Sequence, residues 1–137
     1  GAAVVRTQWL YGKRGTSFVD KIMNLAAGQG SLRVVDDQRG SPTYARDLAA
    51  PIIAIIERGL TGIYHVSNSG SCSWFEFAGA IFSLRGMDVT VSPICSRELG
   101  RKAKRPSYSV FDLTKLRHDT GIGMRHWMEA LTEYLAP

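Results

Sequence analysis

Apolar and polar positions along this chain follow two alternating periods. Short apolar runs, typical of buried strands, are separated by stretches in which apolar residues recur every three to four positions, as in helices that bury one face. The predicted strands cover residues 3–7, 32–35, 63–66 and 89–91, and the predicted helices cover residues 17–27, 45–58, 73–84 and 125–135. Strand and helix alternate, which predicts an α/β fold with parallel strands.

The helical periods also predict which side chains are buried. The expected buried faces are Phe18, Ile22, Leu25 and Ala26 in the first helix, Leu48, Ile52, Ile55 and Ile56 in the second, and Trp127, Leu131 and Tyr134 in the last. Pro51 is expected near the first turn of the second helix, where its missing N–H is tolerated. Ser73 and Glu76 have the spacing of a capping box.

The first predicted strand is typical of a buried strand, with Val4 and Val5 at its centre. A parallel strand of this kind needs neighbours and cover on both faces. Its position so close to residue 1 suggests that part of the protein is missing. We also expect its uncovered edge to recruit a partner, which would make the protein a homo-oligomer.

Composition fits one globular domain of 137 residues, with 45% hydrophobic and 21% charged residues. No apolar run is long enough to cross a bilayer, and the first residues lack a basic leader. Cys72 and Cys95 are predicted to be free thiols, although a disulfide between them stays open. These features predict a cytoplasmic protein with no membrane partner.

The net charge is +5, and basic residues concentrate late in the chain, at Arg97, Arg101, Lys102, Lys104 and Arg105. Such a cluster can be a solvated loop, a site for an anionic ligand or a nucleic-acid surface. It has no interleaved aromatic residues and matches no nucleic-acid-binding motif, so we expect no nucleic-acid partner.

The segment 35–48 is the densest in turn-forming and hydrogen-bonding residues, which predicts a functional loop. Asp36 and Asp37 invite a metal-site interpretation, but no further ligands cluster at metal spacing, so hydrogen bonds to loop N–H groups are preferred. Asp47 lies near the start of the second helix, where a carboxylate meets the positive end of the helix dipole. His65 is expected to be packed, and His118 and His126 to lie on the surface.

Four segments together carry a specific signature. They are R-T-Q-W-L-Y-G at 6–12, D-D-Q-R-G-S-P-T-Y at 36–44 with Asp47-Leu48-Ala49, G-I-Y-H-V-S at 62–67 with S-W-F-E-F-A at 73–78, and Lys104-Arg105-Pro106 with Ser109 and Asp112. In this order they resemble the C-terminal part of the dTDP-4-dehydrorhamnose reductases, which are extended short-chain dehydrogenase/reductases that act on nucleotide sugars.

The resemblance implies the substrate-binding part of such an enzyme, with strands that complete a Rossmann-type parallel sheet. The family's Gly-rich cofactor fingerprint and its Tyr-x-x-x-Lys pair precede the R-T-x-W segment, and neither occurs in this sequence. Residues 1–137 are therefore expected to be a single substrate-binding domain without the Rossmann core or a catalytic residue. The parent would reduce dTDP-4-dehydrorhamnose to dTDP-L-rhamnose with NADH or NADPH, whereas this chain alone would be inactive and bind no cofactor.

The resemblance and side-chain chemistry single out six residues. Trp9 is expected to offer an aromatic face and an N–H to the sugar, although a core tryptophan is the alternative. Arg105 is expected to bind the pyrophosphate, unless it is simply solvated. Gln38 and Thr43 are further substrate-binding candidates, and Thr43 is alternatively a helix cap. Thr7 and Gln8 would face the nicotinamide.

Two departures from the family pattern affect fine substrate contacts. Gln8 stands where the family usually has Ser, and Ser17 stands where it usually has Asn.

A second hypothesis is a non-catalytic regulatory or binding subunit of the same fold, since some relatives serve in that way. A third hypothesis, a basic binding module, has the least support from the sequence.

Overall fold

The computed structural model describes residues 1–100 and 103–137. The strands are β1 (Ala3–Arg6), β2 (Leu10–Tyr11), β3 (Ser31–Val35), β4 (Arg39–Gly40), β5 (Thr43–Tyr44), β6 (Gly62–His65), β7 (Cys72–Ser73) and β8 (Thr90–Ile94). The helices are α1 (Phe18–Gly28), α2 (Ala45–Glu57), α3 (Trp74–Arg85), α4 (Thr114–Thr120) and α5 (Trp127–Leu135), with a 3₁₀ helix at Ser96–Leu99. The α/β prediction is confirmed.

Parallel pairing joins the strands that the sequence predicted. β1 pairs with β6, and β3 pairs with β8, each in parallel and over the whole length of the strands. The two-residue strands β2 and β5 also pair in parallel, whereas β4 and β7 form an antiparallel pair. None of these four short strands was predicted. In the described residues the strands thus form separate two-stranded units, and loop 35–48 contributes β4 and β5 to two of them.

Two apolar clusters form the core. The larger one lies between α1, α3, α5 and β3, and centres on fully buried side chains such as Phe77 and Leu131. The smaller one packs α2 and α4 against β6 through Leu48, Ile55 and Leu116. No helix in the described part of the chain is long and apolar enough to cross a membrane.

The predicted helix faces are mostly correct, with two errors. Leu25 is 51% exposed and Ile56 is 72% exposed, whereas Val19 in α1 is fully buried. The face of α1 that packs against the core is centred on Val19, Ile22 and Ala26. Leu25 lies at its margin and lines a cleft instead. Ile56 lies in the last turn of α2, outside the buried stripe of that helix.

Pro51 and Val4 also depart from expectation. Pro51 is the seventh residue of α2 and lies in the helix interior, beyond the first turn in which it was expected. Its missing N–H therefore leaves the carbonyl of Asp47 without its helical donor. Val4 is 51% exposed, since β1 has only β6 as a neighbour within the described residues. The expectation that β1 is buried is wrong for this chain as described.

Local sequence signals explain how α1 and α3 begin. In both helices a serine hydroxyl accepts the N3 backbone N–H, while the N3 carboxylate accepts the N–H of the capping serine. The pairs are Ser17 with Asp20 and Ser73 with Glu76, so the predicted capping box is confirmed. These caps fix the first turns of the two helices that border the cleft described next.

Candidate functional site

A cleft of about 500 Å³ brings together three of the residues singled out from the sequence. Trp9 comes from the segment after β1 and Gln38 from loop 35–48. Arg105 comes from the stretch 97–105, in which the basic residues concentrate. The remaining lining includes Phe18, Arg33 and Trp74. Aromatic and cationic side chains thus both line the cleft, a combination that suits an anionic ligand with a flat or cyclic part.

Trp9 is held in an unusual backbone conformation, with φ at +46°. This region is strained for a bulky residue, and such strain concentrates at functional sites. The carbonyl of Trp9 accepts the backbone N–H of Thr43 at 3.1 Å. Its indole stacks on Trp74, with ring centroids 3.5 Å apart and planes 13° from parallel. Trp74 therefore covers one face of the indole that was expected to be open to a sugar.

Gly40 confines the same indole from a second direction. A Cβ on Gly40 would lie 2.5 Å from Cε2 and 2.7 Å from Nε1 of Trp9, which is too close for any side chain. The indole therefore packs directly against the Gly40 backbone. Together Gly40 and Trp74 fix the orientation of Trp9, so a ligand meets an aromatic surface that is already in place.

Gln38 is 7% exposed and is one of the buried polar residues in the described part of the chain. It lies at the boundary between the cleft and a second, larger cavity of about 920 Å³. Gln38 therefore borders both cavities, and its binding role stays a prediction.

Arg105 is exposed and lines both cavities. Within the described residues it forms no ion pair, so its guanidinium is available to an anion. Its segment is anchored to β4, because the N–H of Arg39 donates to the carbonyl of Ser107 at 2.8 Å. Lys104 lines only the larger cavity. Arg101 and Lys102 lie outside the described residues.

Thr43 lies apart from the cleft. Its side chain is fully buried, and its hydroxyl donates to the carbonyl of Ser41 at 3.0 Å. It does not cap α2, whose N-cap is Tyr44 and has no side-chain capping bond. The geometry favours a structural role for Thr43 within the loop.

The acids of loop 35–48 hold neighbouring segments in place. Both carboxylate oxygens of Asp37 accept the N–H of Ser96, at 2.9 and 3.0 Å, as the sequence predicted. This backbone bond holds the pKa of Asp37 below its usual range. Asp36 instead accepts the hydroxyl of Ser73 at 2.5 Å, so within the described residues its predicted bond to a loop N–H does not form. The pair therefore ties the loop to the 3₁₀ helix and to the start of α3.

Asp47 is the centre of a polar network that the sequence did not reveal. Its carboxylate accepts two bonds from Arg125, both at 2.8 Å, and one from the amide of Asn68 at 2.6 Å. Asn68 is fully buried and also accepts the N–H of Tyr44 at 2.8 Å. The bond to Asp47 raises the pKa of Arg125. The network joins the start of α2, the turn after β6 and the approach to α5.

Thr7 and Gln8, the residues expected to face a nicotinamide, follow β1 at its carboxyl end. Thr7 is exposed. Oε1 of Gln8 accepts the hydroxyl of Ser109 at 3.1 Å, while its Nε2 is buried and has no partner in the described part of the chain. The carboxyl end of parallel strands is where α/β sheets bind ligands.

The histidines and cysteines fall where they were expected. His65 is half-buried and stacks on Phe111, with ring centroids 4.3 Å apart. His118 and His126 are exposed, and His126 accepts the N–H of Met128 at the start of α5. Cys72 and Cys95 are both free thiols.

Sequence reasoning missed Trp74 as part of the site. Trp74 directly follows the capping serine of α3 and lines the cleft beside Phe18, with ring centroids 4.6 Å apart. An aromatic residue at the first position of a capped helix was the available signal.

Comparison with known proteins agrees with this picture. The family model described as the RmlD substrate binding domain matches residues 1–137. The spore coat polysaccharide biosynthesis protein SpsK of Bacillus subtilis is 46% identical over 134 residues, which cover 98% of this chain and 47% of SpsK. The dTDP-4-dehydrorhamnose reductase of Streptomyces griseus is 42% identical, over 95% of this chain and 45% of that enzyme.

A solved structure shows the same fold. The dTDP-4-dehydrorhamnose reductase of Bacillus anthracis, in complex with NADP, superposes with a TM-score of 0.92 and 47% identity, over 96% of this chain and 47% of that one. This chain thus spans about half the length of the relatives that it matches. The match over all 137 residues shows that the chain belongs to the RmlD substrate-binding domain family.

Proposed function

We propose that this chain is the nucleotide-sugar-binding part of an NAD(P)H-dependent reductase that converts dTDP-4-dehydrorhamnose to dTDP-L-rhamnose. Relatives named for that reaction support the proposal, and the chain spans about half of their length. The observation that carries it is the single cleft that unites Trp9, Gln38 and Arg105 from three distant segments.

Arg105 is the proposed pyrophosphate ligand. A guanidinium stays charged and can donate two parallel hydrogen bonds to phosphate oxygens. Arg105 reaches the cleft from one side, while Lys21 and Arg33 line it too and add to its positive potential. Arg33 is already paired with Glu98, so Arg105 is the better candidate for direct contact. A hydrogen bond of this kind is worth about 1.5–3 kcal/mol.

Gln38 and Trp9 are proposed to recognise the uncharged parts of the ligand. The buried amide of Gln38 can both donate and accept, which suits a base edge or a sugar hydroxyl. Trp9 presents the part of its indole that Trp74 and Gly40 leave uncovered. Because neither side chain has to move far to bind, the ordering cost is small.

The parent's cofactor is proposed to be NADPH or NADH, which supplies the hydride for the sugar carbonyl. The residues present fit its nicotinamide end, since the buried Nε2 of Gln8, at the carboxyl edge of β1, has no partner among residues 1–100 and 103–137. Thr7 and Gln8 would contact it there. No residue of this chain is assigned the proton transfer, so we expect no turnover of a 4-keto sugar nucleotide by this chain alone.

The proposal also covers location and assembly. We place the protein in the cytoplasm, where two free thiols stay reduced. The half-exposed Val4 and Ile63 on the β1–β6 pair form the surface through which association with another polypeptide is proposed, a second copy included.

The test is a titration of the 137-residue chain with dTDP, with UDP as the comparison, followed by nuclear magnetic resonance. We expect weak binding of dTDP, because this chain spans only about half the length of the relatives that it matches. Arg105→Ala should weaken it about tenfold or more. Lys104→Ala, the neighbouring cation that does not line the cleft, is the matched control and should stay within about threefold.

Two results would count against the proposal. Equal losses in the Arg105 and Lys104 variants would mean that only general positive charge attracts the nucleotide. Sub-micromolar binding by this chain would contradict the view that it supplies only part of the site.

A further inference from the structure

Ser109 makes contacts that its place in an exposed basic segment does not require. Its hydroxyl lies 3.1 Å from Oε1 of Gln8 and 3.1 Å from the carbonyl of Arg39. Its backbone N–H donates to the same Arg39 carbonyl at 2.9 Å. One small, half-buried side chain thus joins segments that are 70 and 101 positions away in the sequence.

Each of these segments carries a residue of the cleft. Gln8 directly precedes Trp9, and Arg39 directly follows Gln38. The strand-like segment of Ser109 itself, bonded to Arg39 on both sides of Tyr108, carries Arg105. The Ser109 hydroxyl therefore links the three segments that carry the proposed ligand-binding residues Trp9, Gln38 and Arg105.

The Gln8 contact is robust to the orientation of the amide. A hydroxyl both donates and accepts, so it can pair with either end of the Gln8 side chain. Within the described residues this is the one hydrogen bond of that amide, because Nε2 is buried without a partner. Removing the hydroxyl would leave the whole amide unsatisfied and free to turn, next to a tryptophan already held at a strained φ.

We propose that Ser109 is a positioning residue that sets the relative placement of Trp9, Gln38 and Arg105 without touching the ligand. The identity of the ligand rests on the proposed function, but the positioning itself does not. The proposal therefore has one readout with the ligand and one without it.

The experiment compares Ser109→Ala and Ser109→Thr with Ser107→Ala in the whole chain. Ser107 lies in the same segment and is exposed, and its contact to Arg39 uses only its backbone carbonyl. The ligand-free readout is the circular-dichroism couplet expected from two indoles stacked at 3.5 Å, assigned with Trp74→Phe. The second readout is dTDP affinity, and thermal melts check that each variant folds.

We expect Ser109→Ala to weaken the couplet and to lower dTDP affinity about fivefold, the equivalent of one lost hydrogen bond. Ser109→Thr keeps the hydroxyl, so its couplet and dTDP affinity should stay near those of the unmodified chain. Ser107→Ala should match the unmodified chain in both readouts. An unchanged couplet and affinity in Ser109→Ala would overturn the proposal, as would equal changes in Ser107→Ala. If the unmodified chain does not bind dTDP, the proposed function fails, and the couplet alone decides the role of Ser109.

Discussion

Replacing Gly40 with alanine tests how tightly the aromatic wall of the cleft is built. The new methyl group would lie 2.5 Å from Cε2 of Trp9, so the indole must recede by about 0.9 Å to reach an ordinary contact of 3.4 Å. The indole cannot recede freely, since Trp74 is stacked on it and the Trp9 backbone is held at a positive φ.

The expected cost follows from two effects. Forcing a methyl group into a filled site costs about 1–3 kcal/mol. Disturbing the Trp9–Trp74 stack costs about 0.5–1.5 kcal/mol more. We therefore expect Gly40→Ala to lower the free energy of unfolding by about 2–4 kcal/mol, which moves the urea midpoint by about 1–2 M for a typical slope.

The assay is urea unfolding followed by tryptophan fluorescence, with two comparisons. Gly79→Ala is the matched control, because Gly79 is in α3 and a Cβ there meets nothing within 4 Å. It should stabilise the chain by about 0.5–1 kcal/mol. In a Trp9→Ala background the penalty of Gly40→Ala should largely vanish. A penalty that persists in that background, or no penalty in the original chain, would refute the reasoning.

Three further predictions concern thiols, the polar network and a helix cap. Ellman's reagent at pH 8 should titrate exposed Cys95 quickly and Cys72 only on unfolding, because burial raises the pKa of Cys72 to about 12. Asp47→Asn should cost about 1.5–3 kcal/mol of unfolding free energy, since it removes the charge that Arg125 pairs with, and urea unfolding would measure it. Asp20→Asn should cost about 1 kcal/mol in the same assay at pH 7. Because the bond from its capping serine lowers the pKa of Asp20 below 3.8, that stability is present above about pH 4 and is lost as the pH falls through the folded-state pKa.

Each of these has a matched comparison. Cys95→Ser should remove the fast thiol phase, and a fast phase that remains would show that Cys72 is accessible. Arg46→Ala breaks only an exposed ion pair with Glu133 and should cost under about 1 kcal/mol of unfolding free energy. If Asp47→Asn costs no more than Arg46→Ala, the predicted stabilisation by Asp47 is wrong. Asp88→Asn replaces a carboxylate that caps no helix in the described residues and should cost under about 0.5 kcal/mol at pH 7. An equal loss in both aspartate variants would exclude the cap as its origin.

Local signals in the sequence were enough to predict most of the regular structure. Periodicity located α1, α2, α3 and α5 to within a few residues, and the Ser73–Glu76 spacing placed the start of α3. These features depend on contacts within one or two turns, which the sequence displays directly. The two-residue strands escaped prediction, because pairing partners from elsewhere in the chain define them.

Three residues of the candidate site were singled out from the sequence, whereas Trp74 and the geometry of the site were not. Trp9, Gln38 and Arg105 were singled out one by one, and their binding roles stay predictions. The stack of Trp74 on Trp9 and the contact of the indole with Gly40 depend on the folded arrangement. No pattern within either segment shows them.

The pairing of the strands has a consequence for how this chain acquires its fold. Ala3 pairs with Gly62 and Ser31 with Thr90, in both cases 59 positions along the chain. Leu10 and Thr43 are 33 positions apart, and Arg39 and Ser73 are 34. No pair in residues 1–100 and 103–137 is therefore a hairpin.

Closing such long loops costs chain entropy before the stabilising strand contacts can form. We therefore expect folding to take on the order of milliseconds to seconds. During synthesis β1 and β3 must each wait for some sixty further residues to appear. In that interval the capped helices α1 and α3 are the elements able to form early, and the apolar strands that precede them are exposed to chaperones and to one another.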